Sequence, residues 1–169
     1  MNDKTLYIVA RTGLLLAVTL LLQGLRLLIP IPPQVSMFVI GSLVNACLAL
    51  AVLKINWKSG LAVACITPVF AWLEGMLPFP LFIIPTAIGN SVFIGAVHIW
   101  HAHVHTQIGL YGTAVCKMIA IYSAFYVVLG WFDFPITVRH TILISMSWPQ
   151  LITGALGVTI AYRIARRIR

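Results

Sequence analysis

The sequence predicts an all-α integral membrane protein. We expect residues 1–169 to form a single bundle of six transmembrane helices with both termini in the cytoplasm. Hydrophobic residues make up 61% of the chain and charged residues only 8%, whereas a soluble domain has about 25% charged residues. Long apolar stretches fill almost the whole length, and most Lys and Arg residues fall in connections on one side. The lipid bilayer is therefore the expected environment.

Six apolar stretches are long enough for membrane helices, which need about 20 residues each. They cover residues 6–28, 37–53, 61–77, 81–100, 108–129 and 139–162. Proline clusters at 30–33 and 78–80 predict helix ends there, because proline cannot donate to the helical ladder. Pro68, Pro85 and Pro149 lie inside apolar stretches, where we expect kinks.

The distribution of cations predicts the orientation. An even number of spans places both termini on one side. If that side is the cytoplasm, it receives Lys4, Lys54, Lys58, Arg163, Arg166, Arg167 and Arg169. Only Arg26 and Arg139 then lie near the outer loops, as the positive-inside rule favours. Connections 54–60 and 101–107 become cytoplasmic, and 29–36, 78–80 and 130–138 extracellular.

Several function classes find no support in the chain. Its short connections leave no room for a soluble catalytic domain, and no GxxxxGK[ST] phosphate loop is present. We find no Ser/His/Asp order, paired catalytic carboxylates or HExxH motif and expect no enzyme. The net charge of +8 fits juxtamembrane retention better than nucleic-acid binding. Cys47, Cys65 and Cys116 are far apart and are expected to be free thiols.

The histidines suggest an alternative function. His98, His101 and His105 are spaced to share one face of a continued helix. Such spacing suits a transition metal or a haem iron, so a membrane haem- or metal-binding protein is the alternative. The cluster lies at the predicted cytoplasmic end, and no second cluster completes a coordination shell. We therefore favour an interfacial turn without a metal site.

Polar residues inside the spans are the first candidates for function, because they are costly in a membrane. Asn90 and Gln150 each follow a proline inside an apolar stretch, where their amides could bond a small polar ligand. Contact between helices is the other interpretation of these amides. Lys117 lies in the cytoplasmic part of the fifth span, and we expect it to extend towards that side or to contact a partner protein.

Further candidates lie towards the outer side of the last two spans. Arg139 and His140 are placed where an incoming ligand could reach them, and Tyr122, Tyr126 and Trp148 add aromatic surface. An interfacial aromatic belt is the alternative interpretation. On the first span, Ala10, Gly13 and Ala17 form a flank of small residues that would let another helix approach closely.

Four stretches of the chain carry a likeness to a known family: ARTGLLLA (10–17) with QGLR (23–26), FVIGSLVNA (38–46), IPTAIGN (84–90) and SWPQLITG (147–154). Together with the size and the six spans, they resemble the substrate-binding S components of energy-coupling factor (ECF) transporters. These transporters are vitamin importers of bacteria and archaea. The likeness covers essentially the whole chain.

The resemblance implies capture of a vitamin or related micronutrient at the extracellular side of the cell membrane. It implies no cofactor in this chain, since two ATP-binding subunits and a transmembrane coupling subunit power import. The small-residue flank Ala10, Gly13 and Ala17 would dock on the coupling subunit. The family's pocket is built from the first extracellular loop and the outer halves of the last three helices. By that rule the substrate-binding residues are Gln34, Asn90, Tyr122, Tyr126, Arg139, His140, Trp148 and Gln150.

The vitamin does not carry over from the resemblance. Related S components bind thiamine, riboflavin, folate, biotin, pantothenate, cobalamin or haem. A haem-specific S component would unite the family with the histidine hypothesis. A stand-alone transporter or a small membrane enzyme is a third class.

Overall fold

The computed structural model describes residues 2–29, 32–104 and 106–168, except for the side chains of Pro33, Gln34 and Gln107. These residues form seven α-helices and no strand. The helices are α1 (Asp3–Leu28), α2 (Pro33–Lys54), α3 (Trp57–Leu73), α4 (Ile83–Ile99), α5 (Gln107–Gly130), α6 (Ile136–Ser145) and α7 (Trp148–Arg167). A 3₁₀ turn over Pro80–Phe82 precedes α4, and a π turn over Trp100–Val104 follows it.

Length and composition make the fold compatible with a membrane. Five helical stretches are long and apolar enough to cross one: Asp3–Leu28, Val35–Lys54, Pro80–Val104, Ile108–Gly130 and Ile136–Arg167. Helix α3 is apolar but shorter, with 17 residues. Large apolar side chains such as Leu14, Leu21 and Ile108 are exposed on the outside of the bundle, which suits lipid better than water. The all-helical prediction is confirmed, and five of the predicted spans have a matching candidate.

The predicted sixth span is interrupted close to Pro149, where the sequence predicts a kink. Helix α6 ends at Ser145 and α7 begins at Trp148, with Pro149 in the first turn of α7. Proline suits a first turn, whose N–H groups have no helical partner, but it disfavours a helical conformation for the residue before it. Pro85 likewise lies in the first turn of α4 rather than in mid-helix. The kink predicted at Pro85 is therefore wrong, whereas Pro68 does lie inside α3.

The predicted third span is shifted along the chain. The Asn56 side chain accepts a hydrogen bond of 2.8 Å from the N–H of Ser59, which caps the helix so that α3 begins at Trp57. Helix α3 ends at Leu73, before Gly75, whose φ of 73° favours glycine. The loop predicted over 54–60 is thus only a short turn, and Lys58 belongs to α3.

Three contacts define one end of the bundle. The Lys54 ammonium donates to the carbonyl of Ile168, and the Thr12 hydroxyl donates to Ser59 Oγ over 2.7 Å. The rings of Trp57 and His98 lie 6.1 Å apart. The starts of α1 and α3 therefore meet the ends of α2, α4 and α7 at this end. We call it the basic end, after its cations Lys4, Lys54, Lys58, Arg163, Arg166 and Arg167.

Two apolar cores occupy different levels of the bundle. The core nearer the basic end contains Leu48, Val63, Phe93, Val97, Leu110 and Val158. The core at the opposite end contains Leu77, Phe82, Ile121, Phe125, Leu129 and Leu143. Within the second core the rings of Phe82 and Phe125 meet edge to face, with centroids 5.1 Å apart. Polar side chains are concentrated between the two cores.

Helix α7 lies very close to both α2 and α5. A Cβ added at Gly157 would lie 2.4 Å from the Cβ of Asn45 on α2. A Cβ added at Gly154 would lie 3.0 Å from the Cβ of Ala114 on α5. Small residues permit such approaches between membrane helices. Glycine at 157 is therefore a requirement of the α2–α7 crossing.

We expect Gly157→Ala to lower the free energy of unfolding by about 1–3 kcal/mol, because the new methyl group must push α7 away from α2. Equilibrium unfolding by dodecyl sulfate in mixed micelles measures this. Gly112→Ala on α5 is the matched control, since a Cβ there meets no atom within 4 Å in the described structure. Equal transition midpoints for the two variants would contradict the proposed crossing.

Candidate functional site

A cavity of about 130 Å³ lies between the two apolar cores. We call it the inner cavity. Its polar lining comprises Gln23, Asn45, Thr67, Thr86, Asn90, Lys117, Gln150 and Thr153. These side chains come from six different helices, so the bundle gathers them from across the sequence. Burying so many polar groups is unfavourable unless each finds a hydrogen-bond partner in the protein or in a ligand.

Lys117 is the most unusual residue of the inner cavity. Its side chain is only 4% exposed, and its ammonium donates to Oδ1 of Asn45. The ammonium also lies 5.5 Å from the ring centroid of Phe93. The expectation that Lys117 extends to the cytoplasmic surface is therefore wrong. Its partners Asn45 and Phe93 are both neutral.

The carboxylates of the chain lie elsewhere. The sequence contains three acidic residues in all. Asp3 and Asp133 are exposed, and Glu74 interacts with Arg26 at the end opposite the basic end. None of the three lines the inner cavity. The cavity therefore carries one cationic side chain and no anionic one among its described lining residues.

The neutral side chains of the inner cavity have unused hydrogen-bonding capacity. Thr67 and Thr86 donate to carbonyls of their own helices over 2.9 and 2.8 Å, which leaves their oxygens as acceptors. Gln23 donates to the carbonyl of Thr67 over 3.2 Å, and its Oε1 is buried without a donor among the described residues. Asn90 is 5% exposed and makes no hydrogen bond to any described residue. These groups can serve a ligand.

A larger cavity of about 390 Å³, which we call the vestibule, adjoins the inner cavity. The two spaces share Met37, Ala71, Met76, Thr86 and Gln150 as lining residues. The other vestibule residues are Arg26, Leu77, Pro78, Phe82, Ile121, Thr141, Ile142, Ser145 and Met146. Small-molecule sites typically measure about 300–1,000 Å³ and combine apolar walls with few polar groups. The vestibule fits that description.

Helix α6 forms one wall of the vestibule. Thr141, Ile142 and Ser145 line the space, and Leu143 is the buried residue that holds the helix to the bundle. Helix α6 is therefore held to the bundle by few buried contacts. A segment with few buried contacts is displaced at low cost.

The structure separates the predicted substrate-binding residues into two groups. Asn90 and Gln150 line the inner cavity, and Gln150 also lines the vestibule. The side chains of Tyr122, Tyr126, Arg139 and His140 line a different space, an open groove of about 670 Å³ between α5 and α6. Ile121 faces the vestibule, so Tyr122, the next residue along the helix, points away from it.

Two predicted residues belong to neither group. Trp148 is exposed and packs on Phe38, with the ring centroids 5.7 Å apart. The side chain of Gln34 lies outside the described part of the structure. Asn45, Gln23, Thr86 and Thr153 are not among the candidates that the sequence suggests, and it suggests Lys117 only for the cytoplasmic side or for contact with a partner protein. A polar residue in an apolar span, the signal that selected Asn90, is also present at Lys117 and Asn45.

The described histidines of this region lie on the surface. His98, His101 and His103 are exposed around the π turn, and His105 lies outside the described residues. Within residues 2–29, 32–104 and 106–168, no three His, Cys, Asp or Glu side chains come together to hold a metal ion. The cysteines Cys47, Cys65 and Cys116 are free thiols.

The fold and the site define a class: an all-helical protein of membrane-spanning composition with a polar inner cavity beneath an apolar vestibule. Comparison of the chain with family models, with curated proteins and with solved structures finds no match. The function must therefore be argued from the cavities and surfaces themselves.

We expect Asn90→Leu and Gln150→Leu each to weaken ligand binding tenfold or more. Loss of a partner for a buried polar group costs about 1–3 kcal/mol. The measurement is the amount of small molecule retained by protein purified in mild detergent, quantified by mass spectrometry. Tyr126→Leu in the α5–α6 groove is the comparison variant and should retain the ligand. The opposite result, with loss only in Tyr126→Leu, would move the binding site to the groove.

Proposed function

We propose that this protein is the substrate-binding S component of an ECF transporter in a bacterial or archaeal cell membrane. It captures a vitamin or related micronutrient from outside the cell and is not an enzyme. All six predicted spans cross the bilayer, with α6 and α7 together forming the sixth, and both termini are cytoplasmic. The observation that carries the proposal is the vestibule with its polar inner cavity, which together can enclose one small molecule.

The charge distribution supports an extracellular vestibule. Cations are concentrated at the basic end, whereas Arg26 and Arg139 towards the other end are matched by Glu74 and Asp133. The positive-inside rule assigns the basic end to the cytoplasm. The vestibule, which lies where α1 ends and α2 begins, then opens to the outside. A molecule arriving from outside meets the vestibule first and the inner cavity second.

Helix α1 supports the presence of a partner subunit. Thr19 and Gln23 are its only buried residues, although it is the longest described helix, with 26 residues. Ala10, Gly13 and Ala17 are all exposed, and a Cβ added at Gly13 would meet no described atom within 4 Å. A flank of small residues with open space above it suits close approach by another helix. In the proposed complex that helix belongs to the coupling subunit.

The energy source must come from other subunits. The sequence has no phosphate-binding loop. Two ATP-binding subunits joined through the coupling subunit would provide the motor. Affinity purification of the tagged protein from its native membranes should therefore recover these three subunits, and ATP depletion should abolish uptake of its ligand. Ligand uptake by the purified chain alone in vesicles would contradict the proposal.

The orientation can be tested by thiol labelling. In a background with Cys47, Cys65 and Cys116 replaced by alanine, we expect Asp133→Cys to react with a membrane-impermeant maleimide in intact cells. Arg166→Cys should react only after the membrane is permeabilised, because it lies at the basic end. Labelling of both positions in intact cells, or of Arg166→Cys alone, would refute a cytoplasmic basic end.

The docking assignment predicts a separation of binding from transport. We expect Ala17→Leu to keep ligand binding within about twofold but to abolish ATP-driven uptake, because a large side chain separates helices that must approach closely. The matched control is Ala62→Leu, which adds the same side chain to an exposed position on α3. If Ala17→Leu and Ala62→Leu take up ligand equally well, the coupling subunit binds another surface.

A further inference from the structure

Lys117 is a buried cation without a counter-charge in the protein. The acidic residues Asp3, Glu74 and Asp133 are absent from the cavity lining, and the side chain that holds the ammonium is the neutral amide of Asn45. A buried ammonium is strongly unfavourable unless a negative charge or several hydrogen bonds compensate it. In membrane proteins such residues pair with one another or mark a substrate site. An anionic ligand would stabilise the protonated form of Lys117, which no described carboxylate does.

The size and lining of the inner cavity indicate which chemical group of a ligand can neutralise the charge of Lys117. The inner cavity, at about 130 Å³, exceeds by roughly tenfold the space that one water molecule needs, about 10–15 Å³. Asn90, also buried and without a described hydrogen-bond partner, lines the same cavity and offers an amide donor. A planar carboxylate accepts several hydrogen bonds and carries one negative charge. A phosphate monoester carries about −1.5 to −2 at neutral pH and would exceed the charge of one lysine.

The lining of the vestibule indicates the character of the rest of the ligand. Its walls include Met37, Met76, Phe82, Ile121 and Met146, and its volume is about 390 Å³. Methionine side chains adapt to the shape of an apolar partner. An apolar or weakly polar body therefore fits the vestibule while a charged group reaches the inner cavity.

We propose that the captured micronutrient is a monocarboxylate with an apolar body, whose carboxylate binds Lys117 and Asn90 and whose body occupies the vestibule. This inference rests on the proposed function and names the substrate class of the same site. The bound carboxylate neutralises Lys117, and the Lys117–Asn45 contact holds the ammonium in position before the ligand arrives. Neutral analogues leave the lysine uncompensated and bind weakly.

A purely structural role for Lys117 is the competing explanation. In that case the lysine joins α5 to α2 through Asn45, and the chemical class of the ligand does not depend on it. The two explanations differ for Asn45→Asp, which keeps the shape of the side chain and its contact with the ammonium. The new carboxylate supplies the missing counter-charge, so it preserves a structural link but competes with a ligand carboxylate.

The experiment compares wild type, Lys117→Met, Asn45→Asp and the control Lys58→Met, in which an exposed lysine of α3 loses its charge. The probes are acids paired with neutral analogues: biotin and biotinamide, pantothenate and pantothenol, lipoate and lipoamide, nicotinate and nicotinamide. Calorimetry in mild detergent measures binding, and thermal unfolding reports whether each variant is folded. Small molecules that co-purify with wild type are identified by mass spectrometry and tested in the same way.

We expect at least one acid to bind wild type tenfold or more tightly than its neutral analogue. Asn45→Asp and Lys117→Met should lose that preference, with Asn45→Asp remaining as stable as wild type, and Lys58→Met should keep it. Unchanged acid binding by folded Asn45→Asp would overturn the inference, as would the absence of any carboxylate among the bound probes and co-purified compounds. If wild type retains a neutral compound and Gln150→Leu does not, the inference is overturned while the proposed function is supported. Retention of no small molecule by wild type would count against both.

Discussion

Helix α7 can pack closely against both α2 and α5 because glycines occupy its contact face, where larger side chains would keep the helices apart. Gly157 brings its backbone against Asn45, and Gly154 brings it against Ala114. Three helices thus converge at the level of the polar layer, where Asn45 meets Lys117. A side chain at Gly157 would force α7 away from α2, whereas one at Gly154 would require its neighbour to move by only a few tenths of an ångström. The inner cavity therefore depends on close packing at positions that do not line it.

The polar layer between two apolar cores has a mechanical consequence. In a bilayer the backbone N–H and C=O groups must form hydrogen bonds within the protein. The bundle therefore gains its rigidity from packing between helices rather than from loops. The core nearer the basic end, around Phe93 and Val97, lies between the inner cavity and the basic end. The opposite core is completed by Leu143 of α6, which contributes little other buried surface. The bundle is therefore less tightly packed on the α6 side than on the side facing the basic end.

Hydropathy and proline predicted the helices well, because lipid imposes the same length and backbone requirements on any sequence. Pro149 predicted a distortion of the last span, but hydropathy did not predict its division into two helices, since an apolar run has the same composition whether it is straight or broken. The site was predicted in part. Asn90 and Gln150 stood out as amides in apolar stretches, but the position of Lys117 and the outward direction of Tyr122 depend on how α5 is rotated. Contacts with other helices, such as Gly89 against Ile121, set the rotation of α5. The sequence of α5 alone therefore does not predict which of its residues face the cavity.

The positions of the buried polar side chains also bear on the choice between a haem- or metal-binding protein and a protein that captures an organic micronutrient. A haem or metal carrier needs soft or imidazole ligands at the depth where its cofactor sits. The described histidines lie instead on the surface, and the buried layer offers an amine, amides and hydroxyls, which are hydrogen-bonding groups for an organic ligand. Lys117 is the one ionisable side chain among the described lining residues, and in its protonated form it would repel a metal cation. These buried groups therefore favour the proposed organic, oxygen-bearing ligand over a haem or a metal ion, and the mostly apolar vestibule fits the compact body proposed for it.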